Sequence, residues 1–292
     1  MSYELAVAAP TAPSWRALRD AVALDDLRVV PREPSDDAWP DGGLHLCRVG
    51  RSTRTTTIAW EAGKLTVAVR ALASPEDCEL ALRVAEVAAG LAGAATIEAD
   101  YFGVIDVGEL RRLHTADWMR EQAESGTRAL VHLIREGRGP MATPGPNRST
   151  YVGVRLLAEL ETAGPPEELF ERVLEKMRSV QWDVPDGYRD AAVFESRGDG
   201  EGKARETHFA VWLPNENLVM PFVDFVALRV IEGEVLMVPF AEVSGLAGAH
   251  GMLLDECQLL LRAMSATDWR AVVERARPLA ASRAPRGGAS GR

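Results

Sequence analysis

The stretch SPEDCELALRVAEVAAGLAGA, residues 74–94, constrains the fold more than any other segment of the chain. Its spacing predicts a helix. Ser74 is placed as N-cap, Pro75 suits the first helical position, and Glu76 and Asp77 suit the positive end of the helix dipole. Leu80, Leu82, Val84, Val87 and Leu91 reach round most of the circumference, with alanines between them. A helix lying on a surface shows a single apolar stripe. This one must be enclosed, and a sheet is the expected partner.

The residues before it supply that sheet. In TRTTTIAWEAGKLTVAVRAL, residues 53–72, the β-branched run Thr53, Thr55, Thr56, Thr57, Ile58 and the alternation Leu65, Val67, Val69 predict two strands. They join at Glu61-Ala62-Gly63-Lys64, where Gly63 can supply the positive φ of a tight hairpin. YELAVAA (3–9), LHLCRVG (44–50) and ATIEAD (95–100) read as further strands, and Ser14 as the cap of a short helix. Residues 106–136 turn helical, with Thr115 as a cap between two helices and Gly137 as a stop.

In the second half, TYVGVRLLAEL mixes strand and helix signals, and GPPEELFERVLEKMRSVQW reads as a helix. DAAVFES and ARETHFAVWLP predict an antiparallel pair across the turn RGDGEGK. MPFVDFVALRVIEGEVLMVPF predicts a second hairpin turning at Glu232-Gly233. SATDWRAVVERARPL closes as an amphipathic helix, with Ser265 and Asp268 in capping-box spacing. The fold class is therefore α+β: two blocks of mostly antiparallel sheet packed against helices.

Between the halves lies EGRGPMATPGPNRSTYVG, residues 136–153. Prolines at 140, 144 and 146 favour an extended spacer, which sets the expected division. An N-terminal block takes 1–136, a Gly/Pro-rich linker 137–149, a C-terminal block 150–279, and a disordered tail 280–292. The alternative is a shaped loop in which Arg138 and Arg148 meet an anion, helped by backbone amides freed at Gly145.

Charge and composition narrow the function. The net charge is −10, and the tail holds Arg283, Arg286 and Arg292 with no acid, so the rest is more acidic still. Nucleic acid is excluded as a partner, because phosphate contact needs clustered Lys and Arg. Thirty-three basic residues include only Lys64, Lys176 and Lys203 as lysines, a bias that fits a GC-rich bacterial genome. Three cysteines without CxxC spacing predict reduced thiols in a cytoplasmic setting. No signal peptide is read in the first residues, and no apolar run is long enough to span a membrane.

No phosphate loop, dinucleotide fingerprint, metal-binding HExxH or nucleophile elbow occurs, and no cofactor or metal is expected. The catalytic candidates are His208 with Glu195, Glu206 and Asp224. A carboxylate beside His208 could orient it as a general base. The structural alternative is a charged cross-strand pair. Phe209, Val211 and Leu213 are expected on one face of the strand, with Glu206, His208 and Trp212 on the other. Asp224, between Phe222 and Val226 on one face of an apolar strand, reads as a buried carboxylate in need of a partner, or as a strand-end residue with water access. Asp255 and Glu256 read as an acidic step on a helix beside Cys257. The seven tryptophans read as core residues, with Trp39, in a polar loop, having the alternative of an exposed contact residue. With Arg138 and Arg148, Asp255, Glu256 and Trp39 complete the candidate binding residues.

The expected function is a non-enzymatic protein-binding module whose partner has a basic surface, an inhibitor or immunity-type protein being one form. The alternatives are a hydrolase or transferase around His208, Glu206 and Asp224, or a small-ligand sensor using a cleft between the blocks. The sequence leaves the oligomeric state open.

Overall fold

The computed structural model describes residues 2–34, 39–197, 206–230 and 233–281. It divides into two compact units, Met1–Asp183 and Val184–Arg292, each α+β with largely antiparallel sheets packed against helices.

The first unit runs β1 (Ser2–Ala8), α1 (Trp15–Val22), β2 (Leu27–Val30), β3 (Leu44–Arg48), β4 (Thr56–Glu61), β5 (Lys64–Arg70), α2 (Pro75–Ala92), β6 (Thr96–Ala99) and β7 (Gly103–Asp106). The strands form one antiparallel seven-stranded sheet in the order β2-β3-β4-β5-β1-β6-β7. Register puts Leu5 opposite Val67 and Val7 opposite Leu65, and all four side chains are fully buried. Together with Ile58, Leu46 and Ile97 they make the face on which α2 lies. The cap expected at Ser74 is present as a complete capping box with Asp77. At the β4–β5 turn Ala62 and Gly63 both take positive φ (50° and 80°), the twist-matched hairpin geometry. Thr53 and Thr55 lie outside the strand expected there, in the loop that precedes β4.

Continuing, α3 (Leu110–Leu113), α4 (Ala116–Arg135), β8 (Met141–Pro144), β9 (Ser149–Val152), α5 (Val154–Thr162) and α6 (Leu169–Trp182) build a second core in the same unit. Ile134, Val152, Leu156, Leu157, Val173 and Met177 are at its centre. Thr115 caps α4 as expected, its hydroxyl accepting from the Trp118 amide. The ambiguous TYVGVRLLAEL resolves into β9 and then α5, changing over at Gly153.

The Gly/Pro segment departs from the expected linker. Residues 141–144 and 149–152 pair as the β8–β9 hairpin inside the first unit, and the boundary between units falls at Asp183–Val184. Gln181, on α6 and 3% exposed, holds the turn. Its Oε1 accepts from the Asn147 and Arg148 amides, and its Nε2 donates to the Arg148 carbonyl at 2.7 Å. Gly145 is required by close approach, since a Cβ there would stand 2.4 Å from Gln181 Nε2.

The second unit comprises β10 (Tyr188–Asp190), β11 (Val193–Arg197), β12 (Glu206–Trp212), β13 (Asn217–Met220), β14 (Phe225–Arg229), β15 (Val235–Pro239), α7 (Phe240–Ala247), β16 (Gly251–Leu253), β17 (Leu259–Leu261) and α8 (Ala266–Ala281). Two four-stranded sheets form, β11-β12-β14-β15 and β10-β13-β17-β16. The pairs β12–β14 and β10–β13 are parallel, the rest antiparallel. Trp212, Val226, Leu228 and Val238 meet Trp269, Val272 and Ala276 of α8 in one core. Trp212 and Trp269 cross edge to face, 5.4 Å between ring centroids. Ala280, placed in the tail by sequence, is buried as part of α8. Residues 282–292 of the tail, most of RGDGEGK and Glu232 lie outside the described residues.

Candidate functional sites

The structure brings three of the four acid–base candidates together. Glu195 stands directly opposite His208 on β11 and β12. His208 Nε2 is 3.6 Å from Glu195 Oε1, and Nδ1 is 3.9 Å from Asp224 Oδ2. Both exceed the reach of about 3.2 Å that proton transfer between fixed partners needs. The side chains of His208, Glu195 and Asp224 are 43%, 57% and 34% exposed, so water competes for every one of these contacts. Glu206 lies two residues from His208, opposite Arg197 at the start of β12.

Asp224 is the strand-end residue of the two alternatives. Its carboxylate accepts the His208 backbone N–H at 2.9 Å, and its own N–H donates to the His208 carbonyl at 3.0 Å. It closes the start of β14 against β12. On β12 the inner face is the one that carries Trp212 and Ala210, which are in the core, while Phe209 and Val211 are not. Both residue sets are apolar enough to be the inner one, and alternation alone does not rank them.

The binding candidates do not converge. Arg138 is exposed on the turn after α4. The Asn147 and Arg148 amides that an anion would use already donate to Gln181, and the Gly145 amide donates to the Arg148 carbonyl. Trp39 is no exposed anchor: it packs on the first core and its Nε1 donates to the Pro13 carbonyl at 2.8 Å. Asp255 is buried in the turn between β16 and β17, not on a helix. Its Oδ1 accepts from the Cys257 and Gln258 amides and its Oδ2 from Gln258 Nε2, which shapes the turn and leaves Glu256 beside it half-buried.

Two clusters in the first unit were not legible in advance. One centres on Asp77. Its Oδ2 accepts from the amides of Thr53, Arg54 and Ser74 and from the Thr53 hydroxyl, at 2.9 to 3.1 Å. Burial raises its pKa, and hydrogen bonds from Ser52, Ser74, Arg54 and Thr53 pull against that rise. Burial, then the charge of Arg70, lowers the Arg54 guanidinium to about 10, and Asp77 acts the other way.

The other joins Tyr3 and His114. His114 Nδ1 donates to the Leu110 carbonyl at 2.7 Å, which leaves Nε2 to accept from the Tyr3 hydroxyl. Tyr3, Phe102, His114 and Trp118 make edge-to-face ring contacts, and Tyr101 stacks on Tyr3. Burial raises the Tyr3 pKa, with Asp100 adding to it. It lowers that of His114, partly offset by the Leu110 hydrogen bond, while Arg111 lowers it further. Burial also pushes the adjacent Cys78 thiol up to about 12, which makes it inert as a nucleophile.

The depressed His114 value has a sign. The unfolded chain binds the proton more readily, so His114 contributes stability that is fully present above its unfolded pKa of about 6.5. That contribution is lost as pH falls, at up to about 1.4 kcal/mol per pH unit. Urea unfolding of wild type and His114→Gln at pH 7.5, 6.5 and 5.5 should show a steeper loss in wild type. Parallel pH profiles would show that the pair carries no such linkage.

No family model, curated protein or solved structure matches the chain. Among the described residues no helix is long and apolar enough to cross a membrane, and no group of three or more His, Cys, Asp or Glu is placed to hold a metal ion.

Proposed function

We propose that this chain is a non-enzymatic protein-binding module whose contact surface is the outer face of the β11-β12-β14-β15 sheet. One observation supports the reading: this sheet is apolar on both sides. Ala210, Trp212, Val226, Leu228, Leu236 and Val238 fill the core. On the other side, register lines up Phe194, Phe209, Phe225 and Pro239 in one row across four strands, with Val211, Ala227 and Met237 in the next. None of these seven belongs to the unit's core cluster or to the residues packed against it. Phe194 stays 47% exposed, its ring stacked 5.4 Å from that of Phe209.

A solvated sheet face normally carries polar side chains. A contiguous apolar row in its place marks a contact surface. The partner's chemistry follows from charge. The chain carries −10. The matching surface is a protein patch with an apolar centre and a rim of Lys and Arg. An inhibitor or immunity-type protein that neutralises such a partner is the concrete form. His208, open to water and beyond proton-transfer distance of its carboxylates, gives less support to an enzyme.

The test compares the intact chain with Phe194→Asp, both immobilised at low salt. A single stoichiometric basic protein should be held by the wild type and released at high salt. Its affinity for the variant should fall at least about tenfold, with melting unchanged. Equal retention by both chains overturns the surface, and salt-insensitive retention overturns the charge complementarity. A catalytic turnover abolished by His208→Ala in a folded chain would replace the reading with a hydrolase or transferase.

A further inference from the structure

We infer that a recess in the first unit, beside Tyr101, binds a small aromatic carboxylate. The recess opens between the start of β1, the end of β5 and α4, and Tyr3, Arg70, Tyr101, Trp118, Gln122 and Ser125 contribute to its walls. Its volume is about 70 Å³.

The backbone here departs from what a fold alone asks for. Leu72 and Tyr101, both at this recess, hold φ of 65° and 68°. Left-handed backbone costs a large side chain of order 1–3 kcal/mol and tends to persist where a site requires it. The β6–β7 turn would be served by Gly or Asn at position 101. Tyr occupies it instead, 70% exposed, with its ring stacked on Tyr3 at 5.8 Å between centroids. Leu72 is held in place by α4, where Gly126 leaves room: a Cβ there would lie 2.9 Å from the Leu72 nitrogen.

The walls name the ligand. Tyr101 and Trp118 offer aromatic surface. Arg70 is exposed, and among the described residues its guanidinium has no ion-pair or hydrogen-bond partner. A guanidinium fork takes a carboxylate through two parallel hydrogen bonds, and the Gln122 amide and Ser125 hydroxyl add donors. An organic cation, which aromatic walls alone would suit, is repelled by Arg70. Volume sets the pose. Roughly 150 Å³ is needed to enclose a benzene ring. About half of that is present, so the carboxylate enters and the ring rests on Tyr101.

Calorimetric titration of the full chain with benzoate and phenylacetate tests this, with benzamide and cyclohexanecarboxylate as controls. Both aryl carboxylates should saturate a single site and shift the Trp118 indole resonance. Each control should bind about fivefold or more weakly, and Arg70→Gln about tenfold more weakly, without a change in melting. Tyr101→Gly should also weaken binding while raising stability, because it relieves the left-handed strain. Absence of saturable binding by either aryl carboxylate, or binding unchanged in Arg70→Gln, overturns the site. Neither outcome bears on the second unit's sheet, so the two proposals fail separately.

Discussion

Asp77→Ala should cost the first unit about 3–5 kcal/mol, the largest effect expected of any single polar substitution in the chain. Asp77 is fully enclosed, and one carboxylate oxygen gathers the amides of Thr53, Arg54 and Ser74 together with the Thr53 hydroxyl. Alanine leaves the three amides buried without this acceptor, at about 1–3 kcal/mol for each that water cannot reach, while the Thr53 hydroxyl keeps the Leu72 carbonyl at 2.8 Å. It also strips Arg54, 8% exposed, of a nearby negative charge while Arg70 remains close. The loop before β4 and the N-terminus of α2 would come apart together, because both hang on this side chain.

Asp77→Asn separates the two contributions. An amide oxygen can still accept, so most of the hydrogen bonds survive, while the countercharge for Arg54 does not. The expected loss is about 1–2 kcal/mol. Denaturant midpoints for wild type and both variants, with hydrogen exchange at the Thr53 and Arg54 amides, measure this. Equal losses for Asn and Ala would show that charge, not hydrogen bonding, holds the loop. Unchanged exchange at Thr53 in the Ala variant would remove Asp77 from the role altogether.

Asp77 also shows where sequence reading succeeds and where it stops. Its local role was legible: an acid in the first turn behind Ser74, within a helix apolar on most sides, and the capping box is there. The tie to Thr53, 24 residues earlier, was not legible, because no local rule specifies what lies across from a helix N-terminus. The polar run Arg51-Ser52-Thr53-Arg54 ahead of an apolar strand was the available signal, since buried polar residues need a common acceptor. Tyr3 and His114 are 111 residues apart and gave no signal of any kind. His208 and Glu195 were found because a hairpin fixes its own register; Asp224 joined them because it starts the next strand over.

Which face of β12 is the outer one was not legible, for a different reason. Period-two alternation identifies two faces but not which is inner, and here Phe209 and Val211 compete with Ala210 and Trp212 on nearly equal terms. Trp212 won because α8 brings Trp269 to it. The ambiguity is itself informative. A sheet whose two faces cannot be ranked by hydrophobicity has one more apolar face than its own unit needs, and that surplus is what the proposed partner would cover.

Gln181→Ala is expected to cost about 2–4 kcal/mol, and the reason settles what residues 137–149 are. A flexible spacer would be indifferent to a residue on α6. Here the Gln181 side chain reaches across to accept from the Asn147 and Arg148 amides and to donate to the Arg148 carbonyl, while its own carbonyl accepts from Asn147 Nδ2. Truncation leaves two amide donors and one carbonyl facing the void that the side chain filled, at about 1–3 kcal/mol for each that stays dry. Asn147→Ala removes one of these bonds and should cost about 1 kcal/mol. Gly145→Ala should approach the Gln181 variant, because its methyl would occupy the space of Gln181 Nε2. Thermal melts of the three variants, with exchange at the Asn147 and Arg148 amides, give the ranking. If Gln181→Ala melts with the wild type, the hairpin is held by its own strands and the clamp is incidental. If it melts early with those two amides exposed, the prolines and glycines that look like a tether in sequence are the turn of a docked hairpin.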